Sequence, residues 1–228
     1  FKNVETTFFY SFSKIELSAD AVTFMLRKCC NHPFLIKGVE DRMNNQYMAK
    51  NSSANDMSEL LVTCSTKLLF VDKLLKNLRA RGEKCLIFTQ MLDMMDILHD
   101  YLHLRNYKFC YLNGSMPAHE RQTQIDLFTN DPDYFVFILS TKAGGLGINL
   151  VSANHVVIFN SDYNPFNDTQ AAARCHRLGQ SKKVTIYRLI SKNTYEEYML
   201  RTASKKLGMA KLVLEGKSST KGSDTKQQ

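Results

Sequence analysis

Five short apolar runs constrain this chain more than any other feature: KCLIFTQ (84–90), FCYL (109–112), YFVFIL (134–139), HVVIF (155–159) and VTIYRLI (184–190). Each reads as a strand, and KCLIFTQ in particular is a short apolar run of the kind expected for a strand covered on both sides. Stretches of helical period separate them, and parallel strands require such crossovers. The alternation predicts an α/β fold, a parallel sheet with helices on both faces, whose functional loops lie beyond the carboxyl ends of the strands.

Local signals set the expected boundaries. A helix over Ala19 to Cys30 should stop near His32-Pro33, because the residue before proline is pushed out of the helical region. Lys37 to Ser58 is polar, rich in Asn and Ser, and is expected to be a surface loop. Leu68, Val71, Leu75 and Leu78 place a helix over Thr66 to Arg81, with Gly82 as its stop. Further helices are expected over Met91 to Arg105, Pro117 to Phe128 and Asn164 to Arg177. Thr194 and Glu197 form a capping box that opens a last helix, expected to run to about Lys206 and to break at Gly208. The resulting division is a lead-in over 1–64, a lobe over 65–190, a helical extension over 191–216 and a flexible polar tail over 217–228.

With 228 residues the chain suits one domain with attachments. Thirty Lys and Arg against 22 Asp and Glu leave a net charge of +8, which favours a polyanionic partner such as nucleic acid. The six cysteines form no C-x-x-C pair and lie mostly in apolar runs, as buried thiols in a reducing compartment would. Cys29, Cys30 and His32 make a poor zinc set, since adjacent cysteines do not suit one tetrahedral ion and no second ligand pair follows. No apolar run is long enough to span a membrane, and the opening Phe1-Lys2-Asn3 reads as an excised intracellular fragment.

The chemistry concentrates in Gln170-Ala-Ala-Ala-Arg174-Cys-His176-Arg177-Leu-Gly179-Gln180. Spacings of four and three put Gln170, Arg174 and Arg177 on one helical stripe. Like charges so placed repel, so a shared anion is the natural reason for them, and a solvated basic face is the plain alternative. Cys175 and His176 point off that stripe and read as structural. A second string, Ser140-Thr141-Lys142-Ala143-Gly144-Gly145-Leu146-Gly147-Ile148-Asn149-Leu150, directly follows a strand, and its glycines let backbone pass close to a phosphate or to a packed neighbour.

Together these strings resemble motifs VI and V of the helicase-like ATPases of Swi/Snf type. Leu86-Ile87-Phe88-Thr89-Gln90-Met91 is similar to motif IV, Leu112-Asn113-Gly114-Ser115 with Glu120-Arg121-Gln122 to the segment after it, and Asp162-Tyr163-Asn164-Pro165 to the family's D-W-N-P signature. The resemblance spans roughly residues 26–214 and implies a RecA-like lobe, the C-terminal lobe of helicase superfamily two. It implies that Arg174 and Arg177 reach the γ-phosphate held on a partner lobe, with Gly147, Asn149 and Gln170 nearer the nucleotide. It also implies DNA contacts from Thr89, Gln90, Gly114, Arg121, Thr141, Lys142 and Tyr163. Tyr163 replaces the usual tryptophan, keeping a stacking face of smaller area, and Asn113 and Asn160 stand where aspartates are common. Arg174 to Arg177, Asn193 to Glu196 and Ala203 to Gly208 look most like the chromodomain-helicase-DNA-binding subgroup, with an imitation-switch remodeller as the nearest rival; Leu26 to Ile36 agrees with that placement.

No G-x-x-x-x-G-K-[ST] loop or Asp-Glu pair occurs. The resemblance implies that ATP and magnesium are held mainly by a first RecA-like lobe of the same polypeptide, and that this chain alone does not hydrolyse ATP. It further implies nucleosomal double-stranded DNA as partner, histone contacts, a nuclear protein and no membrane. The competing readings are a non-catalytic nucleic-acid or protein-binding module that keeps the fold, and an RNA helicase lobe, which usually lacks the H-R-x-G-Q and D-Y-N-P strings together.

Overall fold

Side chains alternate across a strand, so a strand buried on both faces must supply apolar groups to two separate cores. The computed structural model describes residues 18–48, 54–141, 148–173, 175 and 179–219, and it shows this division directly. Strands β1 (Cys85–Thr89), β2 (Phe109–Leu112), β3 (Val136–Ser140), β4 (His155–Ile158) and β5 (Thr185–Arg188) form one sheet in the order β2-β3-β1-β4-β5. Every pairing in it is parallel. Cys85, Ile87, Val136, Ile138 and Val157 face one core, while Leu86, Phe88, Phe137, Leu139, Val156 and Ile158 face the other.

Helices α1 (Ala19–Asn31), α2 (Val39–Met48), α3 (Ala54–Thr63) and α4 (Thr66–Ala80) precede the sheet. Helices α5 (Leu92–Leu104), α6 (Ala118–Asn130) and α7 (Pro165–Ala172) follow β1, β2 and β4, and α8 (Tyr195–Ser219) follows β5. The first core takes Leu68, Val71 and Leu75 of α4 with Met94 and Leu98 of α5. The second takes Phe128 of α6 and Ala171 of α7. A short 3-10 turn, Pro33–Leu35, follows α1, with His32 extended as its N-cap. Gly82, at a φ of 62°, turns the chain out of α4 in a conformation that favours glycine.

The structure departs from expectation at two helical segments. The polar stretch expected to be a loop holds α2 and α3. Glu40 and Asp41 sit in the first turn of α2, where the helix dipole favours anions. The end of α3 is anchored by buried Leu60 and Val62. Arg105 then ties α3 to its neighbours, donating to Glu59 Oε1 at 2.7 Å and to Asp72 Oδ1 at 2.7 Å. Helix α8 runs through Gly208 to Ser219, beyond the expected end at about Lys206, because one glycine inside a long helix costs only about 1 kcal/mol.

Candidate functional site

In a parallel sheet all five carboxyl ends open onto one edge, so segments distant in sequence meet there. At the middle of that edge β1 ends in Thr89 and is followed by Gln90, with β3 on one side and β4 on the other. The Thr141 amide donates to Thr89 O at 3.0 Å, carrying the turn after β3 against β1. Asn160, 1% exposed, bridges from the other side: its Oδ1 accepts the Gln90 amide at 2.9 Å. The side-chain nitrogens Gln90 Nε2 and Asn160 Nδ2 are both buried at this edge with no hydrogen-bond partner among the described residues.

The string Asp162-Tyr163-Asn164-Pro165 divides its labour. Asp162 Oδ1 accepts the Asn164 amide at 2.8 Å, and its Oδ2 accepts Asn167 Nδ2 at 2.9 Å. Asn164 is the N-cap of α7, accepting the Phe166 amide at 3.2 Å, and Pro165 opens the helix where a missing N–H costs nothing. Buried Asp168 accepts the Asp162 amide at 3.2 Å, and burial pushes its carboxyl above the usual aspartate range. Three residues thus build a helix start that presents the fourth: Tyr163 remains 44% exposed.

Helix α7 gives way to turns in the described residues that follow it. Ala173 caps the helix and Cys175 lies fully buried in the second core. Gly179 has a φ of 100°, and the turn it permits sends the Gln180 side chain back into the lobe. Gln180 Nε2 donates to Val151 O at 3.0 Å and Ala153 O at 2.8 Å, clamping the segment that leads into β4. The Gly-Gln end of the motif is therefore a fastener. Gly179→Ala is expected to cost about 1–2 kcal/mol, because an L side chain is strained at that φ. Urea denaturation measures it, and an unchanged midpoint would show that the turn relaxes freely.

Comparison with known proteins decides what this edge belongs to. The family described as the helicase conserved C-terminal domain matches residues 66–179, from the start of α4 to the Gly179 turn. A solved structure, the C-terminal part of the Fun30 ATPase domain, superposes with a TM-score of 0.70 at 34% identity, covering 82% of this chain and 73% of that one. The chain belongs to the helicase C-terminal domain family, in its Swi/Snf branch. Human chromodomain-helicase-DNA-binding protein 7 is 48% identical over 196 residues, 85% of this chain and 6% of that protein. The frog (Xenopus tropicalis) chromodomain-helicase-DNA-binding protein 8 is 50% identical over 85% of this chain and 9% of its own length. Human lymphoid-specific helicase is 44% identical over 89% of this chain. This helicase lobe spans 23% of that relative and far less of the chromodomain proteins.

The lobe brings some expected site residues together and turns others inward. Gln90, Thr141 and Tyr163 converge on the carboxyl edge through the contacts above, and Gly114 is exposed in the turn after β2. Thr89, expected at the DNA, is 0% exposed in this lobe, and its hydroxyl faces Met91 O at 3.5 Å. Arg121 is half-buried, with Nη2 donating to Met116 O at 2.7 Å, which occupies part of its fork within its own turn. Asn149 and Gln170 are exposed. The helix expected to reach Arg177 ends at Ala172, with Ala173 as its C-cap. Arg174, Arg177, Lys142 and Gly147 lie outside the described residues. Residues that motif reading left without a role are Arg27 and Tyr195, both against Tyr163.

Proposed function

We propose that this chain is the second motor lobe of an ATP-driven remodeller that translocates on DNA and thereby moves nucleosomes in the nucleus. The reading rests on one observation above all: the carboxyl edge of a helicase-family sheet gathers Gln90, Thr141 and an outward Tyr163, contributed by three different strand ends. In this reading a first RecA-like lobe of the same polypeptide holds ATP and magnesium. Arg174 and Arg177 meet the γ-phosphate from the opposite side, while Gly147, Asn149 and Gln170 stand near the nucleotide. Permanently charged, planar guanidinium forks suit charge spread over phosphate oxygens. Gln90, Gly114, Arg121, Thr141, Lys142 and Tyr163 face the DNA backbone, which fixes the duplex without reading its sequence. The family likeness and the net charge of +8 support a polyanionic track, with histone contacts as part of the same reading.

The chain by itself is expected to bind duplex DNA of any sequence without hydrolysing ATP. Binding should weaken steeply with salt, with a log-log slope of about 0.9 per phosphate neutralised. Fluorescence anisotropy across a salt series, run beside a phosphate-release assay, tests both parts. DNA-stimulated turnover by the chain alone that disappears in Arg177→Ala would refute the division of labour, and salt-independent binding would refute the backbone contacts.

A further inference from the structure

Arg27 lies on α1, outside the span 66–179 that matches the helicase domain, yet it reaches the centre of the carboxyl edge. It is only 8% exposed. Its Nη2 donates to Gln90 Oε1 at 2.5 Å and to Ser161 O at 3.3 Å. The guanidinium carbon stands 4.8 Å from the centroid of the Tyr163 ring. The Tyr163 hydroxyl lies beside Tyr195, the first residue of α8, and burial pushes its pKa upward. One planar cation therefore touches the residue that follows β1, the turn that follows β4 and the aromatic ring at the tip of that turn.

We infer that Arg27 is a positioning residue for the proposed DNA contact, holding the Gln90 amide and the Tyr163 ring in a fixed relation at the mouth of the sheet. The inference rests on the reading of that edge as the DNA-facing one. Two features favour it over simple structural glue. The described hydrogen-bond acceptors of Arg27 are neutral, an amide oxygen and a main-chain carbonyl, so its charge is not cancelled by those contacts and adds to the attraction for a phosphate backbone. The helix that carries it is also rigidly seated: Asn31 Nδ2 donates to Arg27 O at 2.8 Å, and Asn31 Oδ1 accepts Lys67 Nζ at 2.9 Å. A side chain fixed in this way can hold an exposed ring in one orientation and remove the entropy cost of ordering it when DNA arrives.

The experiment is a double-mutant cycle in a two-lobed protein carrying this chain. It reads the DNA concentration that gives half-maximal stimulation of ATP turnover, turnover at saturating DNA, and the melting temperature. Tyr163→Ala and Arg27→Ala are each expected to raise the half-stimulating DNA concentration about five- to tenfold, and the double variant to be no worse than the weaker-binding single. Arg27→Lys keeps the volume and charge but not the planar fork. It should still raise that concentration several-fold while the melting temperature stays put, which keeps the test valid if Arg27→Ala folds poorly. Multiplying effects in the double variant would overturn the inference, as would Arg27 variants that change only the melting temperature. If Tyr163→Ala weakens DNA stimulation while both Arg27 variants leave it unchanged, the inference alone fails. If none of the three changes it, the DNA-facing reading of this edge fails with it.

Discussion

Replacing Arg177 with alanine, in a protein that pairs this lobe with a phosphate-binding one, is expected to lower DNA-stimulated ATP turnover by at least about 10³-fold. Arg174→Ala should fall in the same range. A factor of 10³ corresponds to about 4 kcal/mol of transition-state stabilisation, a size that fits a fixed charge placed against developing negative charge in a cleft that excludes water. Because the effect belongs to the transition state, turnover should collapse while ATP affinity and DNA affinity change little. Arg177→Lys should rescue poorly, since an ammonium cannot present two parallel donors to a phosphate. Single-turnover hydrolysis at saturating ATP and DNA is the deciding measurement. A loss below about tenfold would mean that the phosphate is neutralised by other groups and that the two arginines serve some other anion.

The parallel sheet was legible because each strand carries its own signature. Phe109–Leu112 has the same limits by sequence and by structure, and Thr66 and Gly82 bracket α4 with a start and a stop that are both local chemistry. What escaped depends on partners far away along the chain. Helices α2 and α3 lie in a polar segment, and α3 is secured by an Arg105 contact to Glu59 that spans 46 residues. The end of α7 at Ala172 was not marked in the sequence, and the Gln180 amide beyond it engages a segment nearly 30 residues earlier. Motif resemblance assigned Thr89 and Gln90 alike to DNA, but neighbouring residues at a strand end point to opposite sides, and only Gln90 emerges from the core. Arg27 had no visible role because its two contacts, 63 and 134 residues away, exist only once the sheet has formed.

Removing the Lys67 ammonium is expected to cost more stability than any other single change in the described lobe. Lys67 and Glu196 are each 6% exposed at their side chains and meet at 2.5 Å. The remaining ammonium donors reach Asn31 Oδ1 at 2.9 Å and Phe159 O at 3.0 Å, so all three are used. Glu196 Oε2 in turn accepts the Ser191 amide at 2.9 Å. Burial pushes the Lys67 pKa below the usual lysine range, and the Glu196 carboxylate opposes that shift. The cluster joins α1, α4, the end of β4 and the start of α8 at one point. Lys67→Ala leaves the carboxylate buried without its cation, which costs about 3–5 kcal/mol, a large share of the about 5–15 kcal/mol that holds a domain folded. Replacing both partners with similar shapes, as in Lys67→Met with Glu196→Gln, removes the stranded charge and should recover most of that loss. Urea denaturation of the full chain gives both values. A Lys67→Ala cost below about 1 kcal/mol would show that water reaches Glu196 and that the pair contributes little. If the double variant recovers stability while DNA stimulation in the two-lobed protein still falls, the cluster does more than hold the fold: it sets where α1 presents Arg27.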